Sequence, residues 1–164
     1  MPPADRASAG SSVAGTDTRP VSGGGLYASP EYLIRRAHQI ISAAFVDACA
    51  DLDMTPSQYA ALFALRQRGS VSQNELGRLI ALDRSTTSIV VKSLRERALV
   101  LAAEDPADRR KTVLSLDDSG RLLLAKAEKR SAKAGEMLVA TLGQDKTRLL
   151  LDLLRELASS HTHA

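Results

Sequence analysis

Apolar positions along this chain change period several times, and each change marks an element. From Pro30 onward, Leu33, Ile34, Ala37, Ile41, Phe45, Ala48 and Leu52 recur at helical spacing, which predicts a long amphipathic first helix over residues 30–53. A second helix opens at Thr55-Pro56-Ser57-Gln58. Thr55 supplies the N-cap, Pro56 fits the first helical position, and Gln58 completes a capping box, with Met54 and Tyr59 placed to staple the entry. This helix is expected to run to about Gln67 and stop at Gly69. The same grammar recurs at Val71-Ser72-Gln73-Asn74-Glu75-Leu76, where Ser72 caps, Glu75 reaches back and Val71 staples to Leu76 in a short third helix ending near Ile80.

Ala81-Leu82-Asp83 is then a tight turn, and Asp83 caps a fourth helix from Arg84 to about Arg97. Two short helices joined this closely form a helix-turn-helix. Beyond Ala98 the period shortens. Val100-Leu101-Ala102-Ala103 and the alternating Thr112-Val113-Leu114-Ser115-Leu116 read as two strands around a polar, proline-containing loop, residues 104–111. Asp117 caps a long fifth helix, and Gly143-Gln144-Asp145 leads into a leucine-rich sixth. Both late helices carry more apolar residues than one face needs, which points to a partner subunit. The fold class is therefore mainly α: a winged helix-turn-helix over residues 55–116, with a helical dimerisation region at 30–53 and 117–160. Residues 1–28 are rich in Ser, Gly, Ala, Pro and Thr without hydrophobic period, and are expected to be a disordered tail ahead of a domain at 29–164.

Composition narrows the function classes. A core with aromatics at 3% and no Trp must be built from Leu, Ala, Val and Ile, and 164 residues suffice to bury one. One Cys precludes an internal disulfide and fits a reducing compartment. No apolar run approaches the roughly 18 residues that span a bilayer, and no signal-peptide pattern opens the chain, so a cytoplasmic protein without a membrane partner is expected. Neither a nucleophile–base constellation nor a phosphate-cradling glycine loop is present. His161 and His163 lack neighbours at ligand spacing, so no enzyme, metal site or cofactor is expected. The net charge of +3 favours a polyanion only if it clusters.

It does cluster. The fourth helix opens Arg84-Ser85-Thr86-Thr87-Ser88 and carries Lys92 one turn further on, with Val90, Val91 and Leu94 as packing positions. Short hydroxyl side chains are poor helix formers, but they reach phosphates and base edges in a major groove. Arg109, Arg110 and Lys111 follow near the tip of the hairpin, where an arginine can enter a narrow minor groove and Asp105 or Asp108 can brace it.

Taken together, Thr-Pro-Ser-Gln-Tyr, Ser-Gln-Asn-Glu-Leu-Gly, Asp-Arg-Ser-Thr-Thr, Asp-Pro-Ala-Asp-Arg-Arg and Leu-Asp-Asp-Ser-Gly resemble the MarR family of bacterial transcriptional regulators, over about residues 30–160. The resemblance implies an obligate homodimer built on the first, fifth and sixth helices. It also implies binding to double-stranded DNA at a palindromic operator, with the fourth helix in the major groove and the wing in the minor groove. Carried over by position, Ser85, Thr86, Thr87 and Ser88 are the groove-facing residues and Arg109 the wing arginine. The chain departs from the family at Ile89 and Ser93, where members often carry basic residues, so base readout is expected to lean on the hydroxyls and Lys92.

The segments around Arg35 and His38 and around Gln58 and Tyr59 resemble the subgroup that controls aromatic-acid catabolism, of hydroxynicotinate or hydroxybenzoate type. That implies a repressor released by a small aromatic carboxylic acid held by Arg35, His38, Ser42, Gln58 and Tyr59. Two alternatives stand beside it. One is a thiol-based oxidation sensor using Cys49, which would need an activated thiolate. The other is a helical module whose winged lobe binds protein.

Overall fold

The computed structural model describes residues 25–160. The chain divides into two compact units that part between Ala37 and His38. Most of the tail, residues 1–24, lies outside the described residues, as do His161 and His163. Leu26–Ala28 form a 3-10 turn. In this first unit the Tyr27 and Tyr32 rings meet edge to face at 5.3 Å, and the Tyr32 N–H donates to Ser29 Oγ at 3.3 Å.

Helix α1 covers Pro30–Ala48, and its remaining residues belong to the second unit. It ends earlier than its apolar period implies. The chain tightens into a 3-10 turn at Ala50–Leu52 and then passes through Asp53, whose φ of 47° no helix accommodates. The order after that is α2 (Pro56–Arg68), β1 (Ser70–Ser72), α3 (Gln73–Leu79), α4 (Arg84–Glu96), β2 (Val100–Glu104), β3 (Thr112–Leu116), α5 (Asp118–Leu142) and α6 (Gln144–Ser160).

Capping chemistry sets most of these starts. At α2 both arms of the capping box form: the Gln58 N–H donates to Thr55 Oγ1 at 3.2 Å and the Thr55 N–H to Gln58 Oε1 at 3.0 Å. Ser72 accepts from the Glu75 N–H at 3.2 Å, but the reciprocal arm expected from Glu75 is absent. Asp83 and Asp117 cap α4 and α5 through the N–H groups of Thr86 and Ser119, each at 2.9 Å.

Strand β1 has no counterpart in the sequence reading. It is only Ser-Val-Ser, too short to show alternation, and it exists because β3 offers a free edge beside it. β3 lies centrally in an antiparallel three-stranded sheet of order β1-β3-β2, with Val71 opposite Leu114 and Ala102 opposite Leu114 from the other side. The core beneath the sheet is aliphatic. Leu62, Leu65, Leu76, Leu94 and Leu124 are fully enclosed, joined by Val90, Val91, Leu114 and Leu116. Gly120 lets the first turn of α5 cross the end of β2. A Cβ there would run into the carbonyl oxygen of Leu99, the residue before β2, so no side chain fits without moving the backbone.

Candidate nucleic-acid interface

Helix α4 has one buried and one exposed side, and the division runs through its hydroxyl cluster. Val90, Val91 and Leu94 face the core as their spacing predicts, and Thr87 joins them at 1% exposure. The Thr87 hydroxyl donates back to the Asp83 carbonyl at 2.7 Å, within the helix itself. Its position also governs the turn between α3 and α4: a Cβ on Gly77 would lie 2.8 Å from Thr87 Oγ1 and 3.2 Å from the Leu82 carbonyl. Thr87 is thus a packing residue of the helix-turn-helix, which corrects its assignment as a groove-facing one. Thr86 is half-buried, and its hydroxyl donates to Asp83 Oδ2 at 2.6 Å, so it belongs to the cap. That hydroxyl, followed by the Thr86 N–H, holds the Asp83 carboxyl below its ordinary pKa.

The exposed side carries Arg84, Ser85, Ser88, Ile89, Lys92 and Arg95. Ser85, Ser88, Ile89 and Lys92 follow the i, i+3, i+4, i+7 spacing of a single helical stripe. Gln73, at the start of α3, joins Arg84, Ser85, Ser88 and Ile89 around a shallow hollow. Arg78 and Asn74 on α3 continue the polar surface beside Arg84. Gln73, Asn74, Arg78 and Arg95 escaped the sequence reading, because α3 reads only as the supporting helix. A wheel of α3 places its buried Leu76 opposite Asn74 and Arg78, and this was the signal available.

The wing between β2 and β3 is built by its aspartates. The Asp105 N–H donates to the Lys111 carbonyl and the Lys111 N–H to the Asp108 carbonyl, both at 2.8 Å, while Asp105 Oδ1 accepts from the Ala107 N–H at 2.8 Å. Asp108 faces the basic tip, 3.5 Å from Lys111 Nζ and 3.8 Å from Arg110 Nε. Arg109 takes a partner the sequence did not single out: its Nε lies 3.3 Å from Glu104 Oε2 at the end of β2. The Arg109 side chain is nevertheless 89% exposed, with its guanidinium paired through Nε.

The residues suggested for an effector do not behave alike. His38 and Ser42 come together, with Ser42 Oγ 3.5 Å from His38 Nε2. Tyr59 packs in an aromatic row, its ring centroid 5.2 Å from Phe45 and 6.2 Å from Phe63. Arg35 is exposed and belongs to the first unit. Gln58 is committed elsewhere. At 9% exposure, its carbonyl serves the capping box and its Nε2 donates to Ser93 Oγ on α4 at 2.9 Å. Both polar ends of its amide thus have partners within the chain.

Cys49 is enclosed in the core, and burial, with the Asp51 carboxylate adding and Arg130 opposing, pushes its thiol pKa upward. A thiol so placed is protonated at neutral pH and shielded from oxidants, the reverse of what the oxidation-sensor alternative requires.

Comparison with known proteins matches this arrangement. Residues 52–111 fit the MarR family model. The HTH-type transcriptional repressor NicR of Pseudomonas putida is 34% identical over 133 residues, covering 81% of this chain and 84% of NicR.

The chain belongs to the MarR family.

Among solved structures, the transcriptional repressor CouR, bound to a 23-mer DNA duplex, superposes with a TM-score of 0.75 at 29% identity, over 82% of this chain and 96% of CouR. BpsR of Bordetella bronchiseptica, whose DNA binding is regulated by 6-hydroxynicotinic acid, gives a TM-score of 0.76 at 28% identity, over 83% of this chain and 97% of BpsR. This MarR-family chain is thus a transcriptional regulator with a winged helix-turn-helix. No helix among its described residues is long and apolar enough to cross a membrane.

Proposed function

We propose that this regulator is a homodimeric repressor that binds a palindromic DNA operator and is released by a small aromatic carboxylic acid, controlling an aromatic-acid catabolic operon. One observation carries the DNA-binding part. The exposed stripe of α4 presents hydroxyls and cations, and the same lobe holds an exposed arginine-tipped wing braced by Glu104 and Asp108. Placed in a major groove, Ser85, Ser88 and Lys92 reach base edges and phosphates, while Arg109 enters the adjoining minor groove.

Dimerisation is supported by the apolar surface of α6, where Leu149, Leu153 and Leu154 are exposed in the single chain. Two copies must set their α4 helices about 34–36 Å apart to meet successive major grooves. An acid that prefers another spacing lowers DNA affinity by the ratio of its affinities for the two states. The effector reading draws on NicR and BpsR, and on the His38–Ser42 pair beside half-buried apolar surface on α1. Arg35, His38, Ser42, Gln58 and Tyr59 are the residues to test by substitution.

The deciding experiment is a footprint and affinity titration on the promoter DNA beside the protein's own gene, with and without 6-hydroxynicotinic and hydroxybenzoic acids. Protection of a palindrome, steep weakening with salt and release by an acid are expected. Absence of any protected site overturns the DNA-binding reading. Protection that no aromatic acid relieves overturns the effector reading alone.

A further inference from the structure

Ile89 stands on the outward face of α4 at 68% exposure, in the middle of a polar stripe. Packing does not require it there, because Thr87, Val90, Val91 and Leu94 already furnish the buried side of the helix. A single exposed apolar residue is ordinary on a protein surface. What distinguishes Ile89 is its setting: it helps line the hollow formed with Gln73, Arg84, Ser85 and Ser88, an apolar group rimmed by hydrogen-bonding side chains. Ser85 precedes it by one turn on the same stripe, and Lys92 follows by nearly one.

We infer that Ile89 is a specificity-determining residue that reads the 5-methyl group of thymine in the major groove. The inference rests on the reading that α4 enters that groove. Among the features base pairs display there, hydrogen-bond donors and acceptors dominate, and the thymine methyl is the apolar one. A β-branched side chain on a helix is held near one χ1 rotamer, so its methyl groups meet a base pair in a fixed place. Facing cytosine, the same side chain offers no acceptor to the exposed amino group and withholds water from it, which penalises the wrong base as well as rewarding the right one. The neighbouring Ser85 and Ser88 hydroxyls take the hydrogen-bonding edges on either side, and Arg84 and Lys92 take the phosphates. A second protein seated on this stripe would have to cover the cations together with Ile89, whereas DNA satisfies both.

The test uses the full-length protein and a duplex selected by it from a randomised pool at fixed salt. Each thymine is replaced in turn by uracil, which keeps base pairing and removes only the methyl group. Wild-type protein is expected to lose roughly fourfold in affinity at one or more thymines, the scale of one buried carbon. Ile89→Ala, which removes an exposed side chain and should leave the unfolding transition unchanged, is expected to bind more weakly. It should treat thymine and uracil alike at those positions, with the salt slope unaltered. Indifference of the wild type to every uracil, or the same uracil penalties in Ile89→Ala, overturns the role of Ile89 and leaves DNA binding intact. Failure of the pool to yield any preferred duplex overturns the groove reading on which it rests.

Discussion

The Gln58 side-chain amide donates to Ser93 Oγ at 2.9 Å, joining the first turn of α2 to the last turn of α4. Arg97 makes a second such tie. Its guanidinium donates to the Leu52 carbonyl at 3.0 Å and to that of Asp53, closing the elbow between α1 and α2 onto the end of α4. The exposed stripe of α4 is therefore held from behind by polar contacts as well as by aliphatic packing, so its orientation follows that of the α1–α2 elbow.

Gln58→Ala removes one arm of a capping box and leaves the Ser93 hydroxyl without its donor. A loss of about 1–2 kcal/mol in unfolding free energy is expected in urea titration. Were Gln58 an effector contact as well, the variant would also lose acid response.

Thr87 and Gly77 form a testable pair. Gly77→Ala places a Cβ against Thr87 Oγ1 and the Leu82 carbonyl, and about 1–3 kcal/mol of destabilisation is expected. Thr87→Ala is expected to lower stability without altering base preference, since its side chain is buried. Combining the two should cost less than their sum, because the second substitution removes the atom the first one meets. Strict additivity in thermal or urea unfolding would mean that the contact is not the source of the cost.

Arg109→Ala is expected to weaken operator binding strongly and to reduce the salt slope by about one unit, with the dimer intact by size-exclusion chromatography. Glu104→Gln, which removes the charge paired with the same guanidinium, should produce a smaller loss. Equal affinities for wild type and Arg109→Ala would remove the wing from the interface.

Acid sensitivity should track the helix caps. The Asp83 carboxyl is held low, chiefly by the Thr86 hydroxyl and then by its N–H, and Asp117 is held low by the Ser119 backbone. A carboxyl with a lower pKa when folded stabilises the fold above its unfolded value, here near 3.8, and that contribution is lost as pH falls through the folded value. Asp83→Asn should therefore flatten the decline of stability below about pH 4 while changing its slope little near neutrality. An unchanged acid limb would mean that Asp83 is not among the groups that set it.

Much of the fold was written locally. Thr55, Ser72, Asp83 and Asp117 each cap the helix that their position announces, because a cap is made between a side chain and backbone groups two or three residues away. The wing was legible for the same reason, its turn being closed by Asp105 and Asp108 within the loop itself. Strand β1 was not, since three residues become a strand only when β3 lies alongside. The facing of α4 was legible only in part. Its hydroxyl run reads as one cluster along the sequence, but the fold divides it, sending Thr87 inward against Gly77 and leaving Ser85 and Ser88 outside. Ile89 stood out along the sequence only as a departure from the family's basic residues; that it is exposed beside the buried Val90 and Val91 is decided by the fold. Hydrophobic periodicity fixes which residues can share a face. Which neighbours that face meets, and hence which residues remain for DNA, is decided by contacts distant in sequence.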